Sequence, residues 1–290
     1  MNPNKNNLKN PIFLITGGTS GVGKATAIGL AQKGAKIVII SRHAEQSQQA
    51  LEEIAQRTGN DTGEYLIADL SLQSSIRDVA DEFKRKYDNL HVLANCAGAI
   101  FKEKQMTKEG IERSFAINYM SHFGLTTQLL DILKASGPSR IITVTGNPSF
   151  LKNAKVNFDD LQYLNNFNGM RATAHAMYAR LFFTFELAQR LQGEKVTSNA
   201  FNPGVIKSSL TANSPWYIKL LGTFFKPFQK DICDITTYLS TSEEVNDVSG
   251  KFFDHDRKIV PFHEKFDPAI GKKLWEKSEQ LIQNTVKILE

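Results

Sequence analysis

Residues 11–23 read Pro11-Ile12-Phe13-Leu14-Ile15-Thr16-Gly17-Gly18-Thr19-Ser20-Gly21-Val22-Gly23, and the reading of this stretch decides the fold. Residues 11–16 are a short apolar run that suits a buried strand. Residues 22–33 follow with helical periodicity and stop at Gly34, a helix C-terminal signal. The turn between them is rich in glycine. Glycine lets backbone approach a pyrophosphate closely, and the helix N-terminus adds free N–H groups and a positive dipole. Strand, turn and helix together mark a dinucleotide site, with Gly17, Thr19, Ser20, Gly21, Val22 and Gly23 around the phosphates.

Outward from this unit the chain alternates. Strands are expected at 36–41, 64–67, 90–95, 140–144 and 197–202, and helices at 44–57, 74–87, 108–135 and 171–191. Such alternation implies parallel strands joined by right-handed crossovers: a Rossmann-type doubly wound α/β sheet. Neither a repeat nor a flexible linker divides residues 1–290, so one domain is expected, with its core at 10–207. Residues 153–169 are polar and Asn-rich and read as a loop carrying Phe158-Asp159-Asp160-Leu161. Residues 208–231 hold Trp216, Tyr217, Ile218, Leu220, Leu221, Phe224 and Phe225. A helix packed on the body is one reading; a membrane-touching helix with Lys219, Lys226 and Lys230 is another. A lid over an apolar pocket is favoured. The tail at 264–290 spaces Leu274, Trp275, Ser278, Leu281, Ile282, Val286 and Leu289 as an amphipathic helix that docks on the core.

Composition narrows the function classes. The 290 residues are 41% apolar and 22% charged, which excludes disorder and fibrous repeats. A net charge of +5, spread along the chain, does not indicate nucleic acid or an anionic membrane and suits a small anionic ligand. Two cysteines are too few for a disulfide framework, so a reducing cytoplasm is expected. The polar N-terminus does not read as a signal peptide, and no apolar run approaches the roughly 20 residues needed to span a bilayer.

The turn spacing TGxxxGxG resembles the short-chain dehydrogenase/reductase family. Further matches follow in order: Asp69-Leu70, Asn95-Cys96-Ala97-Gly98, Asn118 and Pro203-Gly204. The segments GVGKATA (21–27), FDDL, FELAQRL (185–191), SGKFF (249–253) and LWEKSEQL (274–281) resemble the retinol-dehydrogenase-like branch, so the likeness covers essentially the whole chain. It implies that Asp69 and Leu70 meet the adenine and that Asn95, Ala97 and Gly98 line the cofactor. Pro203, Gly204 and Val205 would touch the nicotinamide end. It also implies a homo-oligomer built through the helices at 108–135 and 171–191. Cys96 stands where the family pattern usually has Asn and reads as a packing cysteine.

An acidic residue after the second strand would bind both ribose hydroxyls of NAD(H). Ser41-Arg42-His43 stands there instead, and a hydroxyl followed by a guanidinium suits the 2′-phosphate of NADP(H). The family's chemistry uses Ser, Tyr and a Lys four residues later, the Lys lowering the Tyr pKa. Those positions align with Gly146, Thr173 and Met177, and none of the seven tyrosines has Lys four residues on. Asn118 alone remains, with Thr173 as a hydroxyl that could hydrogen-bond a substrate oxygen. His175, Tyr178, Lys152 and Tyr163 are weaker substitutes. No metal site is expected. Two readings stay open: an atypical NADP(H)-dependent oxidoreductase acting on an apolar small molecule, or an inactive NADP(H)-binding protein that senses the cofactor or partners an active subunit.

Overall fold

A computed structural model describes residues 11–151, 155–206, 230–261 and 266–289. In chain order its first strands and helices are β1 (Ile12–Thr16), α1 (Gly21–Ala31), β2 (Lys36–Ser41), α2 (Ala44–Thr58), β3 (Glu64–Ile67), α3 (Gln73–Lys86) and β4 (Val92–Asn95). The expected boundaries for these elements hold to within about two residues. All strands pair in parallel in the order β3-β2-β1-β4, continued by β5 (Ser139–Val144), β6 (Val196–Phe201) and β7 (Phe252–Phe253). This is a doubly wound sheet. Strand alternation sorts the core. Phe13, Ile15, Ile37 and Ile39 face α1 and the later helix α9 (Asp234–Thr241), while Leu14, Val38 and Ile40 face α3 and the long helices. The two-residue β7 was not foreseen; its Phe pair is too short to show strand alternation.

The single helix expected at 108–135 is corrected. The chain is helical from Arg113, where Glu112 caps it by accepting the Phe115 N–H at 2.8 Å. It forms α4 (Arg113–Phe115), a π turn over Ala116–Met120, α5 (Ser121–Gln128) and α6 (Leu130–Ser136). Leu129, at φ −107 and ψ 5, separates the last two. Upstream, the Thr107 N–H donates to the Ile111 carbonyl and the Ile111 N–H to the Thr107 hydroxyl in a turn, and Glu109 leaves this segment to cap α3 through the Gln73 and Ser74 N–H groups. A helical pattern was thus read across backbone already committed elsewhere.

α7 (Pro148–Leu151) is followed by the loop with the Phe158–Leu161 turn, then by α8 (Gly169–Arg190). The tail forms α10 (Pro268–Leu289) and docks on α8, as its periodicity suggested. Trp275 meets Phe123 edge-on at 4.9 Å and Phe183 face-on at 6.0 Å, with the Arg190 guanidinium 4.2 Å from its ring centre. Ser278 bonds the buried Tyr119 hydroxyl at 2.9 Å. The faces of α5 and α8 turned toward α10 are therefore filled by the chain's own tail. No helix among the described residues is long and apolar enough to cross a membrane. The segment read as a lid lies, but for Lys230 and Asp231, outside the described residues, as does Lys152.

Candidate functional site

Because every strand runs the same way, all their C-terminal ends open on one edge, and the sheet order reverses between β1 and β4. Open α/β sheets bind ligands at that switch point. The glycine turn occupies it. Gly17 and Gly21 have φ of +69° and +55°, a region that favours glycine. A Cβ on Gly17 would sit 3.2 Å from Ala97 Cα, and one on Gly23 would overlap the Gly17 carbonyl oxygen. Thr16 Oγ1 joins the two halves by accepting the Cys96 and Ala97 N–H groups at 2.8 and 2.9 Å. No acidic residue lies in the first turn of α1, so its positive end stays available to an anion. Thr19 and Ser20 lie on the turn and Val22 is in the first turn of the helix. A dinucleotide phosphate fits this cradle.

On one side lie the ends of β2 and β3. Arg42 is exposed and makes no ion pair with a described residue. Ser41 is another matter. Its hydroxyl is tied to Ser47 at 2.6 Å and to the His43 backbone at 3.2 Å, so it shapes the turn and is not offered outward. Asp69 is exposed, with one carboxylate oxygen accepting from Ser71 N–H and hydroxyl at 2.9 and 2.7 Å. Leu70 packs in the core instead of lining the edge.

On the other side lie the ends of β4, β5 and β6. Asn95 is fully buried and donates to Thr126 on α5 at 2.9 Å, so its side chain does not reach the cofactor edge. Ala97 is buried and Gly98 is exposed. Asn118 is fully buried in the π turn and clamps Ala99 from both sides, accepting its N–H at 3.0 Å and donating to its carbonyl at 2.7 Å. That amide holds a loop and has no free arm for a substrate. Burial pushes the Cys96 thiol up to about 12, which fits packing and not redox chemistry. Pro203 and Gly204 are half-buried and Val205 is exposed at the end of β6.

The sequence reading missed Arg180. Its side chain is fully buried on α8 and reaches the carbonyl of Asn118, the Val144 carbonyl at 2.9 Å, and the Ala97 carbonyl at 3.3 Å. It thereby fastens the ends of β4 and β5 to the π turn. Desolvation lowers its pKa to about 9, which leaves it charged at neutral pH. His122 donates from Nε2 to the same Ala97 carbonyl at 2.8 Å, and burial holds its pKa well below the usual range, so it is neutral. An arginine between Met177-Tyr178-Ala179 and Leu181-Phe182-Phe183 was a readable sign of a buried charge.

Of the three aligned catalytic positions, Gly146 and Met177 meet without reactive groups, and Thr173 lies one helical turn before Met177 on α8. Gly146 follows β5, and a Cβ there would lie 3.1 Å from Met177 Sδ. Thr173 is 3% exposed, and its hydroxyl has no hydrogen-bond partner among the described residues. It does not open onto the edge. His175 accepts the Asn157 N–H at 3.1 Å and stacks near Phe115 and Tyr163. Burial lowers its pKa to about 4; it is a packing histidine that pins the loop. Tyr163 belongs to that loop, and Tyr178 packs on Phe182 with ring centres 5.2 Å apart.

Comparison with known proteins agrees with this layout. Residues 11–158 match the short chain dehydrogenase family. Retinol dehydrogenase 13 of Mus musculus is 33% identical over 289 residues, spanning 97% of this chain and 86% of the relative. Polyprenol dehydrogenase of Homo sapiens is 32% identical over 277 residues, spanning 92% and 83%. Among solved structures, a protein of Mycobacterium Paratuberculosis described as uncharacterized superposes with a TM-score of 0.74 at 25% identity, covering 94% and 93% of the two chains. Similarity over nearly the whole length, joined to a glycine turn at the switch point of a parallel sheet, places this chain in the short-chain dehydrogenase family of oxidoreductases, in its retinol-dehydrogenase-like branch.

Proposed function

We propose that the chain binds NADP(H) across the β1/β4 switch point and serves hydride transfer to a carbonyl or activated double bond of an apolar small molecule, without the usual Ser, Tyr and Lys. The observation that carries this reading is the turn at Gly17–Gly23, whose closeness to Ala97 and to its own backbone leaves a cradle that side chains would fill. Arg42, exposed and without an ion-pair partner among the described residues, supports a 2′-phosphate on the β2 side. The free thiols Cys96 and Cys233 suit a reducing compartment such as the cytoplasm. That the substrate is apolar is inferred from sequence alone, from the aromatic residues between Trp216 and Phe225.

When bound, the nicotinamide supplies the hydride. What this chain supplies is position. Asn118 and Arg180 hold the floor, and Thr16 fixes the spacing between the two halves. None of the three aligned positions, Gly146, Thr173 and Met177, carries a general acid, and losing a positioned acid typically costs about 10²–10⁴ in rate. Proximity of the two reactants is retained, so an acceptor already activated, protonated by water or by its own acidic group, is the fitting substrate. A second reading, an inactive NADP(H)-binding protein, is favoured by one observation: the Thr173 hydroxyl is buried while Met177 packs against Gly146.

Titration calorimetry with NADPH and NADH tests the binding. NADPH is expected to bind at least about tenfold tighter, equal to about 1.4 kcal/mol, and Arg42→Ala to erase the difference. Equal affinities in the unaltered protein sink the NADP(H) reading. A screen for NADPH oxidation across carbonyls and activated alkenes, run beside Gly146→Ser/Thr173→Tyr/Met177→Lys, separates enzyme from inactive binder. Turnover by the triple variant alone supports the second reading.

A further inference from the structure

Arg180 does more than its hydrogen bonds require. Backbone carbonyls can be satisfied by neutral donors, and placing a cation among them costs its desolvation. Buried arginines are normally paired with an acid, yet no described carboxylate forms an ion pair with Arg180. The groups around it are neutral. They are the Cys96 thiol, the His122 ring, the Asn118 amide and the carbonyls of Ala97 and Val144. The charge also lies just under the open edge. Its Nη2 is 3.4 Å from where a Gly98 Cβ would stand, and Gly98 itself is exposed.

Topology says which part of a dinucleotide lies above it. The phosphates belong to the β1 turn and the 2′-phosphate side to β2, where Arg42 stands, so the other half of the ligand extends over β4 and β5. The two redox forms of a nicotinamide dinucleotide share every phosphate and differ at the ring, which is cationic when oxidised and neutral when reduced. Water is excluded around the guanidinium, so its field reaches the ring weakly screened.

We propose that Arg180 is a positioning residue whose buried charge makes the site select the reduced cofactor, NADPH, over NADP⁺. This rests on the NADP(H) reading above. The selection serves either of the two functional readings. A reductase would be loaded with its hydride donor, and an inactive binder would report the ratio of the two forms.

The test measures Kd for NADPH, NADP⁺ and 2′-phospho-ADP-ribose, a fragment lacking the nicotinamide ring, on the full chain. NADPH is expected to bind at least about tenfold tighter than NADP⁺. Arg180→Gln, which keeps amide donors and removes the charge, should bring the ratio to within about twofold while fragment affinity changes little; Arg180→Lys should restore it. A ratio unchanged in folded Arg180→Gln, or a parallel loss for all three ligands, overturns the proposal and leaves Arg180 a structural fastener. Should the variants not fold, the unaltered protein decides. A ratio that survives a rise in salt from ~0.1 M to ~0.5 M supports a buried charge, and one that collapses overturns it. If the fragment and both redox forms all fail to bind, the NADP(H) reading itself fails; if all three bind and the redox forms bind equally, only the Arg180 inference does.

Discussion

The two halves of the strand edge, one at the ends of β2 and β3 and one at the ends of β4 and β5, are built by opposite rules. In the first, Arg42 and Asp69 stand in solvent, and the hydroxyl expected to meet a ligand, Ser41, is spent on the turn. In the second, Asn95, Asn118, His122, Thr173 and Arg180 are all inside, and four of the five bond to protein. The first half is arranged to hold a charged ligand; the second is arranged to hold itself. Under the proposed reading binding and chemistry have separate structural requirements, and on the β4 and β5 side the polar side chains are turned inward while the backbone at Gly98 stays exposed. Gly23 sits at the seam and should show the largest effect. Gly23→Ala would drive a Cβ into the Gly17 carbonyl, which no rotamer change can relieve. NADPH affinity should fall on the order of a thousandfold, about 4 kcal/mol. Retained affinity in a folded variant would mean that the turn is not the phosphate cradle.

Acid should reveal the closed half next. The His175 pKa is about 4 in the folded chain against an unfolded value near 6.5, so the unfolded chain binds the extra proton first as pH falls. Stability from this residue is complete above about pH 6.5, declines as pH drops, and is fully lost by about pH 4. The difference amounts to up to about 3 kcal/mol. Asp160, whose charge favours the protonated ring, moderates the effect. His175→Gln, which keeps an acceptor for Asn157 N–H, should flatten the urea-unfolding free energy between pH 6.5 and 4 by that amount. Identical pH profiles would show that the loop over α8 is not pinned by a neutral histidine.

The sequence made the open half legible and the closed half opaque, for one physical reason. Phosphate binding depends on local backbone, so Gly17, Gly21 and Gly23 could be read from thirteen consecutive residues. Strand periods in β2 and β3 were local too, and both were placed residue for residue. The second half depends on contacts between distant segments. Asn95 was assigned to the cofactor, but its fate is decided by Thr126, thirty-one residues away. Asn118 was assigned to catalysis, but Ala99 consumes its amide. The π turn that turns Asn118 inward leaves no mark on a helical hydrophobic pattern, and the expected helix at 108–135 ran straight through it. Arg180 alone carried a local sign.

The smallest effect concerns whether Gly146 and Met177 are two changes or one. A side chain at 146 would begin 3.1 Å from Met177 Sδ, tighter than ordinary van der Waals contact, although a thioether is flexible enough to yield partly. Gly146→Ser alone should therefore cost about 1 kcal/mol through crowding. In a Met177→Ala background the space is vacated and the same substitution should cost nearly nothing, giving a coupling of about 1 kcal/mol in a double-mutant cycle. Additive costs would place the two residues in separate environments. Coupling of that size would mean that the hydroxyl position and the ammonium position share one volume. The sulfur now fills it, so restoring either residue singly would disturb packing before it could restore chemistry. The closed half would then resist stepwise repair, whereas Arg42, exposed and without an ion-pair partner among the described residues, can be replaced without disturbing the core.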